Sequence, residues 1–195
     1  MSKLNARKIV ALLAAGLLVV TVAFVGVLAV LINRADEPDV MITAYAHGKT
    51  IDVAPFGYCD VSMRECRILP EGDEATGTIF GELSCAQDAS DCHRGRTARL
   101  DVPAGYPLQL SLPKQIADAP WIAQAVYETA SGDTVARVLS REDGPGETLA
   151  LTIDSRPEPD LRLVGVEVRL PILARDETGQ EFYPPHAAWS ISTAQ

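Results

Sequence analysis

The chain has 195 residues, with 26 acidic against 17 basic side chains and a formal net charge of −9. That balance argues against nucleic acid as a partner and against tight adhesion to anionic lipid headgroups, since both need a basic surface. The charge is also unevenly placed. Residues 1–34 hold four basic residues (Lys3, Arg7, Lys8 and Arg34) and no acid, so the remainder carries 13 basic against 26 acidic residues, a net −13.

The N-terminal segment explains the asymmetry. Residues 9–32 read IVALLAAGLLVVTVAFVGVLAVLI without a charge. A helix of that length spans roughly 36 Å, enough to cross a hydrocarbon core of about 30 Å with some tilt. Lys3, Arg7 and Lys8 precede it, while Asp36, Glu37 and Asp39 follow it. Lys and Arg beside a span stay in the cytoplasm, which orients the N-terminus inwards. The apolar run exceeds the 7–15 residues of a cleaved signal peptide, and no A-x-A site follows it, so an uncleaved signal anchor is expected. The implied organisation is a cytoplasmic stub at 1–8, a transmembrane helix at 9–32, a polar linker at 33–39 and an extracytoplasmic domain at 40–195. The last is long enough for one hydrophobic core.

Cys59, Cys66, Cys85 and Cys92 all fall in that domain, as two C-x6-C pairs. An even count in an oxidising compartment predicts two disulfides, and the equal spacings favour Cys59 with Cys66 and Cys85 with Cys92. The spacing is wrong for a C-x-x-C redox motif and poor for a tetrahedral zinc site, even with His93 nearby. Cys92 sits beside His93 and Arg94, which leaves a labile, regulatory disulfide as an alternative.

Beyond the linker, apolar residues alternate at period two. Examples are Ala98, Leu100 and Val102; Leu108, Leu110 and Leu112; Leu149, Leu151 and Ile153; Val164, Val166, Val168, Leu170 and Ile172; and Trp189, Ile191 and Thr193. Further strands are expected at 40–46, 50–54, 76–83, 121–129 and 134–139. Turn signals separate them at His47-Gly48, Ser131-Gly132-Asp133, Gly144-Pro145-Gly146, Arg156-Pro157 and Thr178-Gly179-Gln180. Short strands at regular spacing predict an all-β domain, an immunoglobulin-like β-sandwich, with Pro171 at an edge or bulge. Pro113 and Pro120 confine the stretch between them to a single helical turn or a crossover, with Trp121 packing as the next strand begins.

Catalytic signatures are scarce. His47, His93 and His186 stand apart in sequence, and there is no G-x-S-x-G, S-x-x-K or phosphate-binding loop. Asp88, Asp91 and the acids at 71–74 lack the EF-hand pattern and read as charged loops. No catalytic residue, metal or cofactor is assigned. A small-ligand pocket, if present, is expected around Trp121, Trp189 and Phe80.

Three segments carry a resemblance: GYCDVSMREC at 57–66, LSLPKQIADAPW at 110–121 and HAAWSIST at 186–193. With the anchor and the acidic β domain, they resemble an actinobacterial family of small exported or membrane-anchored proteins defined as a domain of unknown function. The excess of Arg over Lys, which occurs only at 3, 8, 49 and 114, suits a GC-rich bacterial genome. The resemblance implies location and fold and transfers no catalytic residue; the pair Cys85 and Cys92 looks like an addition to its pattern. The expected function is that of a non-enzymatic accessory protein of the cell envelope. It would be held in the bilayer through Ile9–Ile32 and interact with another membrane or envelope protein. The alternative is a binding module for an envelope lipid, glycan or small ligand.

Overall fold

The computed structural model describes residues 6–34, 39–70, 72–75, 78–83, 85, 92–143 and 149–193. The chain divides into two compact units, Met1–Pro38 and Asp39–Gln195.

The first unit is one helix, α1, Ala6–Arg34. Its Ile9–Ile32 stretch is long and apolar enough to cross a membrane, and its side chains are exposed all round. A helix that is apolar on every face has no stripe to dock on a protein core, which suits a lipid surround. The helix runs past the apolar stretch at both ends, through Arg7 and Lys8 and through Asn33 and Arg34, so it takes in residues expected in the stub and the linker.

The second unit is all β apart from single turns. Its strands are β1 (Ile42–Ala46), β2 (Lys49–Val53), β3 (Gly57–Cys59), β4 (Cys66–Pro70), β5 (His93–Gly95), β6 (Ala98–Arg99) and β7 (Leu108–Ser111). After one helical turn, α2 (Lys114–Ala117), come β8 (Ile122–Thr129), β9 (Thr134–Ser140), β10 (Ala150–Ile153), β11 (Leu161–Pro171), β12 (Ala174–Arg175), β13 (Glu181–Phe182) and β14 (Pro185–Ser192). A four-stranded sheet, β10-β7-β1-β2, faces an eight-stranded sheet, β5-β4-β3-β14-β11-β8-β9 with β6 beside β14. Inward residues of both sheets (Ile42, Leu108 and Ile153 from one; Ala125, Val168 and Trp189 from the other) form one buried core. Two packed sheets are what the alternating pattern predicts. The immunoglobulin-like comparison goes no further than that layering, because β4–β5 and β6–β14 are parallel pairs in the larger sheet.

Local chemistry sets the hairpins. His47 and Gly48 both have positive φ, 45° and 79°, and join the paired residues Ala46 and Lys49 as a two-residue type I′ turn, whose twist matches that of the strands. Gly132, at φ 87°, supplies the left-handed residue of the β8–β9 turn, where its N–H donates to the Thr129 carbonyl at 3.0 Å. Strand β11 breaks its own alternation. Leu161 and Leu163 point into the core, and so do Val166, Val168 and Leu170, because the pairing register with β8 slips between Leu163 and Gly165. The bulge changes parity, so Val164 lies outside the buried set that the alternation predicts for it, and Ile172, past the end of β11, lies outside it too. A second slip, against β14, falls between Leu170 and Pro171, where the proline's missing donor makes a bulge expected.

The stretch 76–83, expected as a strand, instead holds a 3₁₀ turn at Ile79–Glu82 within its described part. Phe80 from this turn packs with Phe56, Cys59, Cys66, Leu69 and Ala188 in a second buried cluster, on the face of the larger sheet away from the main core. Both faces of β14 are therefore covered near Ala188, and Ala187, Ala188 and Trp189 are buried in succession. Two glycines allow this layer to close. A Cβ on Gly57 would stand 2.7 Å from the Phe80 ring, and one on Gly95 would fall 1.8 Å from the Phe56 carbonyl oxygen.

Candidate functional site

The three aromatic residues proposed from sequence as pocket walls do not come together. Trp121 and Trp189 lie in the main core, with 2% and 1% of their surface exposed, and Phe80 belongs to the second cluster. Trp189 is a structural anchor. Its indole N–H donates to the Val40 carbonyl at 2.8 Å, tying the last strand to the residues just before β1. Of the acidic stretches read as charged loops, Glu71, Asp88 and Asp91 lie outside the described residues, and Gly72–Ala75 form a 3₁₀ turn.

The cysteines pair as Cys59–Cys66 and Cys85–Cys92. The first pair joins directly opposed residues of β3 and β4 inside the second cluster. The second links Cys85 to Cys92, the residue just before β5.

The histidines are dispersed. The His186 imidazole Nδ1 lies 3.0 Å from the Cys59 carbonyl oxygen, and the ring makes an edge contact with Tyr58. His93 is exposed on β5. Among the described residues, no group of three His, Cys, Asp or Glu side chains could hold a metal ion. The displaced ionisations belong to turns and packing. Asp60 is lowered to about 2, first by the Ser62 hydroxyl, then by backbone N–H groups including those of Glu65 and Arg64, at 3.0 and 2.8 Å. Asp176 is lowered in the same way by the Thr178 hydroxyl and the Gln180 N–H. Burial raises the Tyr127 phenol, whose O–H donates to the Asp154 carbonyl at 2.9 Å.

His47 takes the molecule somewhere the sequence did not point. It lines an open, mainly apolar groove of about 390 Å³ with Tyr45, Gly48, Tyr106, Pro107 and Gln109. Its ring centroid lies 4.1 Å from that of Tyr106, at a 55° tilt. Each wall is fixed by backbone chemistry. The type I′ turn holds His47 at positive φ, which His tolerates better than most side chains. Tyr106 follows Gly105 (φ 87°) in a turn closed by its own N–H donating to the Pro103 carbonyl at 3.1 Å. Beneath it, the buried Ser155 hydroxyl accepts from the Gly105 N–H at 3.0 Å and donates to the Pro103 carbonyl at 3.2 Å.

Tyr45 and Gln109 are opposed across β1 and β7 on the outward face of the smaller sheet. Outward positions on this face include Thr43, Thr50, Ser111 and Thr152, with Asp52 the charged residue, accepting from the Thr43 hydroxyl at 3.0 Å. The sequence signal for this site is slight: tyrosine at an exposed strand position and tyrosine between glycine and proline both occur on ordinary surfaces.

The rim of the smaller sheet has a second feature. The Leu112 N–H donates to the Leu149 carbonyl at 2.8 Å, and β10 then pairs with β7 from Ala150↔Ser111 to Ile153↔Leu108. Hydrogen-bonded pairs alternate in an antiparallel ladder, so Leu149, Leu151 and Ile153 turn their backbone groups towards β7. Ala150 and Thr152 turn theirs to the other side, where β10 has no strand neighbour among the described residues. The β9 edge is guarded differently. Arg137 points inwards there, over the Tyr127 ring and paired with Glu158.

Comparison with known proteins agrees with the sequence resemblance. The chain is 32% identical over 151 residues to uncharacterised proteins of Mycobacterium bovis and of two Mycobacterium tuberculosis strains, covering 77% of this chain and 75% of each relative. No solved structure matches it significantly. The family model DUF2771, a protein of unknown function, matches residues 35–194, and the chain belongs to that family.

Proposed function

We propose that this is a single-pass envelope protein that works without catalysis, by binding another membrane or envelope protein with its extracytoplasmic domain. The basic residues before the Ile9–Ile32 helix and the acidic surface after it support an inward N-terminus. The two disulfides support an oxidising compartment for the domain.

The observation that carries the partner reading is the β10 edge. Leu149-Ala150-Leu151-Thr152-Ile153 is free of charge and proline, and Leu149 is 54% exposed beside it. Natural edges are normally blunted by charge, proline or a covering element, and an edge whose own strand carries neither charge nor proline suits strand addition from a partner.

The test is site-specific photocrosslinking from Thr152 in the full-length protein in native membranes, with mass spectrometry of the adduct. A discrete envelope protein is the expected adduct. Thr152→Pro deletes an outward N–H and leaves the β7 ladder intact, so it should abolish co-purification of that protein without unfolding the domain. Adducts to lipid only, or a complex indifferent to Thr152→Pro, would refute the reading.

A further inference from the structure

We infer that the groove formed by Tyr45, His47, Tyr106 and Gln109 is a binding site for a neutral saccharide. This does not rest on the β10 partner reading; the residues and the ligand differ.

The argument starts from shape. The groove is open, so it suits a flat ring lying on the surface or a chain running through it rather than an engulfed molecule. Its walls are aromatic. Tyr45 and Tyr106 are 41% and 47% exposed, and the His47 ring packs against Tyr106 at a tilt. Sugar rings present an axial C–H face that packs on such rings, while their hydroxyls need donors and acceptors at the edge. The phenol groups, the imidazole and the Gln109 amide can supply these.

Charge narrows the class. None of the six lining residues is Asp, Glu, Lys or Arg, in a chain with 43 such side chains. The nearest cation in sequence, Lys49, is spent on Asp101 at 3.3 Å. An anionic ligand would find no fixed counter-charge in the groove, whereas a neutral polyol needs none. The outward face of the smaller sheet continues the chemistry with the Thr50 and Ser111 hydroxyls, which suits an oligomer.

The walls are also preorganised, which distinguishes them from incidental surface aromatics. His47 is held at φ 45°, a conformation that costs free energy for a side chain with a Cβ, and the Tyr106 turn is stapled from below by the buried Ser155. Rings fixed in advance lose less entropy on binding.

The same chemistry could come from a free oligosaccharide or from a neutral glycolipid headgroup. The experiment uses the full-length protein in nanodiscs. It is probed on an array of neutral hexose and pentose oligosaccharides, with sulfated glycans and a polyproline peptide as controls, and separately against phosphatidylcholine vesicles carrying a digalactosyl lipid. The expected result is binding to neutral glycan on the array that is insensitive to salt. Tyr45→Ala and Tyr106→Ala should each weaken it about tenfold, the scale of one aromatic contact. His47→Asn keeps a residue that accepts the left-handed turn and removes the ring, so it should weaken binding with the thermal unfolding midpoint unchanged. Binding confined to the vesicles and abolished by the same variants assigns the saccharide to a lipid headgroup. Absence of neutral-glycan binding in both formats, binding that survives the Tyr45→Ala, Tyr106→Ala double variant, or preference for the sulfated or polyproline probe would overturn the proposal.

Discussion

The two tryptophans show how little a residue's identity says before its partners are known. Both stand near the start or centre of an apolar β stretch, and both are buried. Trp189 donates its indole N–H to the Val40 carbonyl, 149 residues away in sequence, whereas the Trp121 indole nitrogen has no hydrogen-bond partner among the described residues. The same substitution should therefore have different costs. Trp189→Phe removes a buried bond and leaves the Val40 carbonyl unpaired, for an expected loss of about 2 kcal/mol beyond the change in volume. Trp121→Phe gives up volume but also removes an unpaired buried donor, so its net cost should be smaller, within about 1 kcal/mol. Urea unfolding of the two variants at neutral pH makes the comparison, and equal midpoints would contradict it. The burial of both rings follows from apolar alternation. The bond that separates them depends on tertiary closure between chain ends, which no local pattern encodes.

At the scale of elements, legibility tracks how local the cause is. The β1–β2 and β8–β9 hairpins are written in a few turn residues, and the bulge at Pro171 follows from one missing N–H. The helical turn between Pro113 and Pro120 is equally local. The stretch 76–83 was less legible, because Phe80 is held by a cluster from β3, β4 and β14 rather than by a strand neighbour. The loop inside the Cys59–Cys66 disulfide combines both kinds of cause. Asp60 accepts from the backbone N–H groups of Ser62, Arg64 and Glu65, so its carboxylate organises the turn that the disulfide closes. With its pKa lowered from 3.8 to about 2, Asp60 binds its proton less tightly in the folded state than in the unfolded one. Its stabilising effect is thus present above pH ~4 and is lost as the pH falls from there through about 2. Thermal unfolding followed stepwise from pH 5 to 2 should show a smaller fall in midpoint for Asp60→Ala than for the natural sequence, with the residual fall owed partly to Asp176. Identical slopes would remove Asp60 from this role.

At the scale of the whole molecule, the proposed orientation couples the anchor to the oxidation state of the domain. Each disulfide closes a loop of eight residues, from Cys59 to Cys66 and from Cys85 to Cys92. The chain-entropy model assigns about 2.5 kcal/mol to a loop of that size, so two amount to about 5 kcal/mol. That is comparable with the entire stability of a modest domain. The Cys59–Cys66 pair adds packing to entropy, since both sulfurs lie in the second cluster beneath Phe80. A chain that carries its domain out of the cytoplasm keeps this stabilisation, and one that fails to do so forfeits it. Full-length protein trapped with acid and taken from native membranes should therefore show no alkylatable thiol until it is reduced. The same sequence lacking Ile9–Ile32, retained in the cytoplasm, should present four alkylatable thiols and be cleaved readily by added protease. Free thiols in the anchored protein would contradict both the oxidised domain and the outward orientation, because the bridges and the helix would then lack a common cause. The dependence runs in one direction. On the proposed orientation the apolar helix sets the compartment, the compartment sets the cysteine chemistry, and the Cys59–Cys66 bridge is part of the cluster on the outer face of the larger sheet.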